Sequence, residues 1–241
     1  MNDTFRAAFW MTGAIASFTS MAVAGRDVAF DLDTFEIMMY RSFVGVLIVL
    51  AVAGSAGTLP QISRRHLGTH LIRNISHFAG QNLWFFALGL IPLAQVFALE
   101  FTTPLWILVL SPLVLREPLT KVRSLAATLG FIGILIVTRP EPSSLNLGVG
   151  TAALAAVGFA ISIMLTRKLT RSETATCILF YLTSMQLVFG VICAGYDGDI
   201  TLPTIVTAPW LFLIGCAGLL AHFCLTKALA LVPATVAIPM D

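Results

Sequence analysis

The strongest constraint on this chain is a succession of apolar runs, each about as long as the 20 residues a helix needs to cross a bilayer core. The runs lie near 6–24, 35–54, 70–90, 93–115, 121–138, 147–166, 175–195 and 208–228, with another beginning near 233. Breakers separate them at Gly54-Ser55-Ala56-Gly57, Pro92, Pro118, Arg139-Pro140-Glu141-Pro142, Asp197-Gly198-Asp199 and Pro233. Lipid offers no partner to a bare N–H or C=O, so such runs must be helices. Composition agrees: 58% of the 241 residues are hydrophobic and 11% charged, against about 25% charged in soluble domains. The expected fold class is all-α: a polytopic transmembrane helical bundle with eight complete spans and the start of a ninth. Arg6, the apolar run and Ala22-Val23-Ala24 imitate a signal peptide, but that run is long for a signal and many similar ones follow, so a retained first helix is expected.

Charge placement orients the bundle, because cytoplasmic loops collect Lys and Arg. Arg6, then Arg64, Arg65 and Arg73, then Arg116, Lys121 and Arg123, then Arg167, Lys168 and Arg171, and finally Lys227 fall on one side. The alternate loops hold Arg26 and Arg139 beside Asp27, Asp31, Asp33, Glu36, Asp197 and Asp199. The N-terminus is therefore expected in the cytoplasm, with the chain in the cytoplasmic (inner) membrane. A formal net charge of +2, dispersed over short loops, gives no basis for a nucleic-acid partner. Cys177, Cys193, Cys216 and Cys224 show no C-x-x-C spacing and read as packing residues, with neither a disulfide nor a metal site expected.

The chain also resembles itself. Ala87 to Glu100, ALGLIPLAQVFALE, aligns with Ala228 to Asp241, ALALVPATVAIPMD, at a constant offset of 141. In the first copy this segment joins the third and fourth helices, so the repeating unit has five. An odd number makes the second copy inverted in the membrane. The expected units are residues 1–145 and an incomplete 146–241, and the missing counterpart of the residues after Glu100 is read as a C-terminal truncation.

Polar groups inside a span are costly and usually face a cavity or a partner. Glu100 shares a face with Thr103, Ile107 and Ser111 at i, i+3, i+7, i+11. It reads either as a substrate or proton-exchanging site or as a structural ion pair with Arg41. Arg41 in turn either receives an anionic group or snorkels outward toward Glu36. Asn74, His77, Gln81 and Trp84 recur at three and four residues as a polar and aromatic stripe, which suits a planar or zwitterionic metabolite and reads as pore lining or as interhelical glue. His222 stands at the repeat equivalent of Gln81, facing it across a cavity or simply packing. Asp241 is the equivalent of Glu100. Pro104 and Pro112, with Trp106, mark a bend in the fourth helix. Ala126, Gly130, Gly133, Gly215 and Gly218 are read as close-packing positions.

Arg41, Ile91-Pro92, Glu100 to Pro104, Leu115-Arg116-Glu117-Pro118-Leu119 and Leu129-Gly130-Phe131-Ile132-Gly133 occur here in an order and duplication that resembles the drug/metabolite transporter superfamily, in its EamA-type members of ten helices in two repeats. Arg116 departs from the small residue usual before that glutamate, and the second repeat lacks its copy of the motif. The resemblance implies a secondary carrier moving a small polar metabolite by alternating access. Amino acids, S-adenosylmethionine-like and riboflavin-like compounds all lie within its range, and coupling to H+ is open. No cofactor is expected, and no G-x-x-x-x-G-K-[ST] loop for ATP is present. The alternatives are a membrane-embedded enzyme, for which H-E-x-x-H and G-x-S-x-G are lacking, and a scaffold or sensor, for which no loop holds a signalling domain.

Overall fold

The computed structural model describes residues 2–115, 120–138, 146–196 and 198–240, among which every regular element is helical. The helices are α1 (Asp3–Val28), α2 (Thr34–Ser55), α3 (Leu67–Leu90), α4 (Leu93–Glu100), α5 (Thr103–Val114), α6 (Lys121–Thr138), α7 (Leu147–Leu169), α8 (Ala175–Ala194), α9 (Thr207–Leu231) and the short α10 (Ala234–Ala237). Arg116 to Leu119, Arg139 to Pro142, Asp197 and Asp241 lie outside the described residues, as do the side chains of Arg123 and Ala126.

Local chemistry sets the ends. Asp33 and Glu36 close a reciprocal capping box on α2, Asn146 accepts from the Val149 amide at the start of α7, and Thr174 caps α8. The fourth expected helix, 93–115, proves to be two. Phe101 and Thr102 interrupt it, because Pro104 in the first turn of α5 has no N–H to bond back to Glu100. Pro112, by contrast, sits inside α5. Six segments among the described residues are long and apolar enough to cross a membrane: α1, α2, the α4–α5 stretch, α7, α8 and α9. The 24-residue α3 is long enough at about 36 Å. Its apolar content is lowered by His70, Arg73, Asn74, His77, Gln81 and Asn82, all of them buried.

Burial is inverted relative to a soluble protein. Phe9, Phe43, Leu47, Ile72, Ile75, Leu113, Ile192 and Leu220 are exposed on the outside, while the polar stripe of α3 lies within. The chain is thus a multi-pass membrane protein. The most extensive helix contacts pair α1 with α9, α3 with α7, and α2 with α8. Each joins a helix before residue 145 to one after it.

Several features recur at the 141-residue offset. Ile91 (φ −129, ψ 160) and Val232 (φ −133, ψ 159) take the same extended conformation. Each precedes a proline that disfavours α there, Pro92 (φ −58, ψ 143) and Pro233 (φ −56, ψ 151). Arg26 Nη1 donates to the Ile91 carbonyl at 2.9 Å, and Arg167 Nη1 donates to the Leu229 carbonyl. Each guanidinium therefore satisfies an end carbonyl of a long helix, α3 or α9.

Small residues set how closely the pairs approach. A Cβ on Gly158 would stand 2.8 Å from the Ser76 carbonyl oxygen and 3.0 Å from Gly80 Cα, and one on Gly190 2.8 Å from Met39 Cα. Gly215 and Gly218 pack against Val44 and Arg41 as expected of small residues. Gly130 and Gly133 do not: a Cβ on either meets nothing within 4 Å among the described residues, because their faces of α6 look outward. Gly158→Val should therefore destabilise by about 1 to 3 kcal/mol through overpacking against backbone. Gly130→Ala should be neutral, with thermal unfolding in detergent as the measurement.

Candidate functional site

Inside the bundle is a cavity of about 990 Å³, including its mouth, walled by α1, α3, the α4–α5 break, α7 and α9. Of the residues singled out in the sequence, His77, Gln81, Trp84, Glu100, Thr103 and His222 line it.

One helical stripe of α3 supplies the polar wall, since positions three and four apart stack on one face. Trp84 Nε1 donates to Glu100 Oε2 at 2.8 Å, tying α3 to the end of α4. Thr103 Oγ1 donates to the Ala156 carbonyl at 3.4 Å. The His77 and His222 rings meet edge to face at 4.6 Å. Phe159 lies 6.0 Å from His77 and Phe18 5.3 Å from His222, completing an aromatic row across the cavity. Phe18 and Phe159 are also related by the 141-residue offset. The Nε2 atoms of both histidines are buried without a hydrogen-bond partner, although a buried polar atom normally has one.

Two sequence candidates fall elsewhere. Asn74 packs toward α8, where its side-chain amide donates to the His70 carbonyl at 2.8 Å and the Tyr181 carbonyl at 3.3 Å, and Gln186 Nε2 donates to the Asn74 carbonyl at 2.8 Å. These bonds join α3 to α8. Arg41 is only 7% exposed, so it does not snorkel, and Glu36 is engaged by its capping box and the Thr201 amide. The guanidinium sits in a smaller pocket among α2, α8 and α9, beside Gly218 and with Met38 Sδ 3.6 Å from Nη1. Glu100 lines the cavity and accepts from Trp84, whereas Arg41 lines the smaller pocket. His222 faces His77 rather than Gln81, one turn away on the same helix face.

Sequence reasoning missed the cavity's own cation. Arg73 is 1% exposed and lines the wall, its Nε donating to Thr166 Oγ1 at 3.0 Å and Nη1 to Asn74 Oδ1 at 3.1 Å. Ser162 and Thr166 of α7 were also missed. The signal for Arg73 was present, since it precedes His77 by four residues on the same stripe.

Comparison with known proteins agrees with this architecture. The EamA-like transporter family profile matches residues 5–139. An S-adenosylmethionine uptake transporter of Rickettsia bellii is 26% identical over 95% of this chain and 78% of its own length. Riboflavin transporters of Vibrio cholerae and Brucella anthropi are 27% and 29% identical, covering 97% and 96% of this chain and 79% and 83% of theirs. A solved crystal structure superposes with a TM-score of 0.75 at 16% identity, covering 96% of this chain and 82% of that one.

Two double-mutant cycles in thermal unfolding separate the contacts of Glu100. Trp84→Phe with Glu100→Gln should show a coupling of about 1 kcal/mol, as for one intramolecular hydrogen bond. Arg41→Met with Glu100→Gln should be additive within about 0.5 kcal/mol.

Proposed function

The chain belongs to the EamA-like transporter family, and from that premise we propose that the cavity bounded by Arg73, His77, Gln81, Trp84, Glu100, Thr103 and His222 is its substrate site. The protein is a small-metabolite transporter. The observation that carries the substrate class is Arg73: a cation on the cavity wall, 1% exposed, whose hydrogen-bond partners among the described residues, Thr166 and Asn74, are neutral. A buried cation without a counter-ion is strongly disfavoured, so the natural complement is an anionic group on the substrate. The unpartnered His77 and His222 Nε2 atoms supply further polar contacts, Trp84, Phe18 and Phe159 supply stacking faces, and Glu100 supplies an acceptor.

The best-fitting substrate is a zwitterion or anion carrying a planar ring. Among the compounds named for the relatives, S-adenosylmethionine carries both a carboxylate and a planar ring, whereas riboflavin is uncharged and shares only the planar ring. Arg41 lies just behind the wall, against Gly218 and next to Met21, and contributes positive potential rather than contact.

The two units, 1–145 and 146–241, act as inverted repeats. Exchanging them carries the α1–α9 pair onto α7–α3 and returns α2–α8 to itself, and the Arg26/Arg167 and Pro92/Pro233 correspondences support the same relation. Rocking of one unit against the other would expose the cavity alternately. The reading also places the protein in the cytoplasmic membrane with the basic loops, and hence the N-terminus, in the cytoplasm. Glu100 is the group through which transport would couple to H+.

Proteoliposome uptake of labelled S-adenosylmethionine and riboflavin tests the proposal. At least one should be transported above the lipid control, and Arg73→Gln should reduce that flux about tenfold or more, the cost of one charge-assisted contact. Full transport of both compounds by Arg73→Gln would overturn the site. For coupling, Glu100→Gln should flatten the pH dependence of uptake; an unaltered pH profile would remove Glu100 as the proton site.

A further inference from the structure

Away from the cavity, where α3 and α8 begin side by side, His70, Glu173 and Cys177 each present a donor atom, and these atoms lie within 4.8 Å of one another. His70 is fully buried and neither ring nitrogen has a hydrogen-bond partner. Glu173 Oε1 is likewise buried without one. Cys177 is fully buried, its Sγ held by the Ser63 backbone, 3.4 Å from the amide nitrogen and 3.7 Å from the carbonyl oxygen. His66 stands four residues before His70 on the same face, and its Nε2 also lacks a partner. The two segments thus read His-x-x-x-His and Glu-x-x-x-Cys, with His66 and Glu173 just ahead of α3 and α8 and His70 and Cys177 in their first turns.

Three donors of nitrogen, oxygen and sulfur type converge within 4.8 Å, and His70 and Glu173 Oε1 have no hydrogen-bond partner among the described residues, although each buried unsatisfied atom costs free energy. We propose that His70, Glu173 and Cys177 bind a borderline divalent transition-metal ion of the Zn2+ class, with His66 or water completing a four-coordinate shell. Zn2+ takes this mixture of imidazole, thiolate and carboxylate at about 2.0 to 2.3 Å, so donors this close need only small shifts to share one ion. On binding, the Cys177 S–H bond breaks, its proton leaves to solvent and an S–metal bond forms. Thiolate and carboxylate together offset the ion's two charges. The expectation that the cysteines are packing residues alone is revised here for Cys177: the ligands come from segments about a hundred residues apart, so no sequence spacing announces them. An occupied site would fasten α3 to α8.

The test uses the full chain, purified in detergent without a polyhistidine tag and stripped with a chelator. After exposure to Zn2+ and desalting, about one ion per chain should remain by elemental analysis, as for a dedicated site. His70→Ala and Cys177→Ser should each weaken retention about tenfold or more, while Cys193→Ser and Cys216→Ser leave it unchanged. Unaltered gel-filtration and thermal profiles establish that the variants fold. A wild type holding no more Zn2+ than a chain carrying both His70→Ala and Cys177→Ser would overturn the proposal. Co2+ added to the wild type gives a second reading that needs no variant: a thiolate-to-cobalt charge-transfer band is expected, and its absence overturns Cys177 as a ligand.

Discussion

A polar side chain held away from lipid must find a partner, and in this bundle that partner comes from its own helix, from a neighbouring helix or from what fills a cavity. This single constraint organises the molecule. Where partners come from other helices the result is glue: Asn74 binds α8 through Tyr181 and Gln186, and Arg26 and Arg167 cap the ends of α3 and α9. Where no helix supplies one, as at the Nε2 atoms of His77 and His222, the unmet groups converge on a cavity. The difference between a packing polar residue and a cavity residue is therefore what stands opposite it: α8 for Asn74, the cavity for His77 and Gln81.

Small residues make that arrangement affordable. Gly158 crosses Gly80 and the Ser76 carbonyl at backbone distance, and Gly190 approaches the Met39 backbone in the same way. Close crossings of α3 with α7 and α2 with α8 seal the bundle around the cavity without a large apolar side chain filling it. The break at Phe101 and Thr102 then lets the end of α4 bring Glu100 to Trp84.

Much of this was legible in the sequence because it depends on local or periodic signals. Apolar run lengths located the helices, and Pro104 marked the bend. The offset of 141 also placed His222 at the cavity, although it meets His77 rather than Gln81. Side-chain direction was not legible. Arg41 and Glu100 were candidates for a pair because both are charges within spans, yet they occupy different pockets. Arg73 was absorbed into the pattern of basic loops because α3 was expected to start at 70. Its actual start at Leu67 puts Arg73 about 9 Å along the helix. Ser162 and Thr166 are a single pair four residues apart among Ile161, Ile163, Met164 and Leu165, too short a pattern to announce a site, and the donors around Cys177 come together through the packing of α3 beside α8.

The central claim is that the stripe of Gln81 faces a water-accessible cavity rather than a dry core, and thiol accessibility measures this directly. Gln81 and Ile178 are both almost fully buried, at 2% and 0% exposure, but only Gln81 lines the cavity. With the native cysteines replaced, Gln81→Cys should react with a small hydrophilic thiol reagent in membranes while Ile178→Cys stays protected. Equal protection of the two would contradict the account.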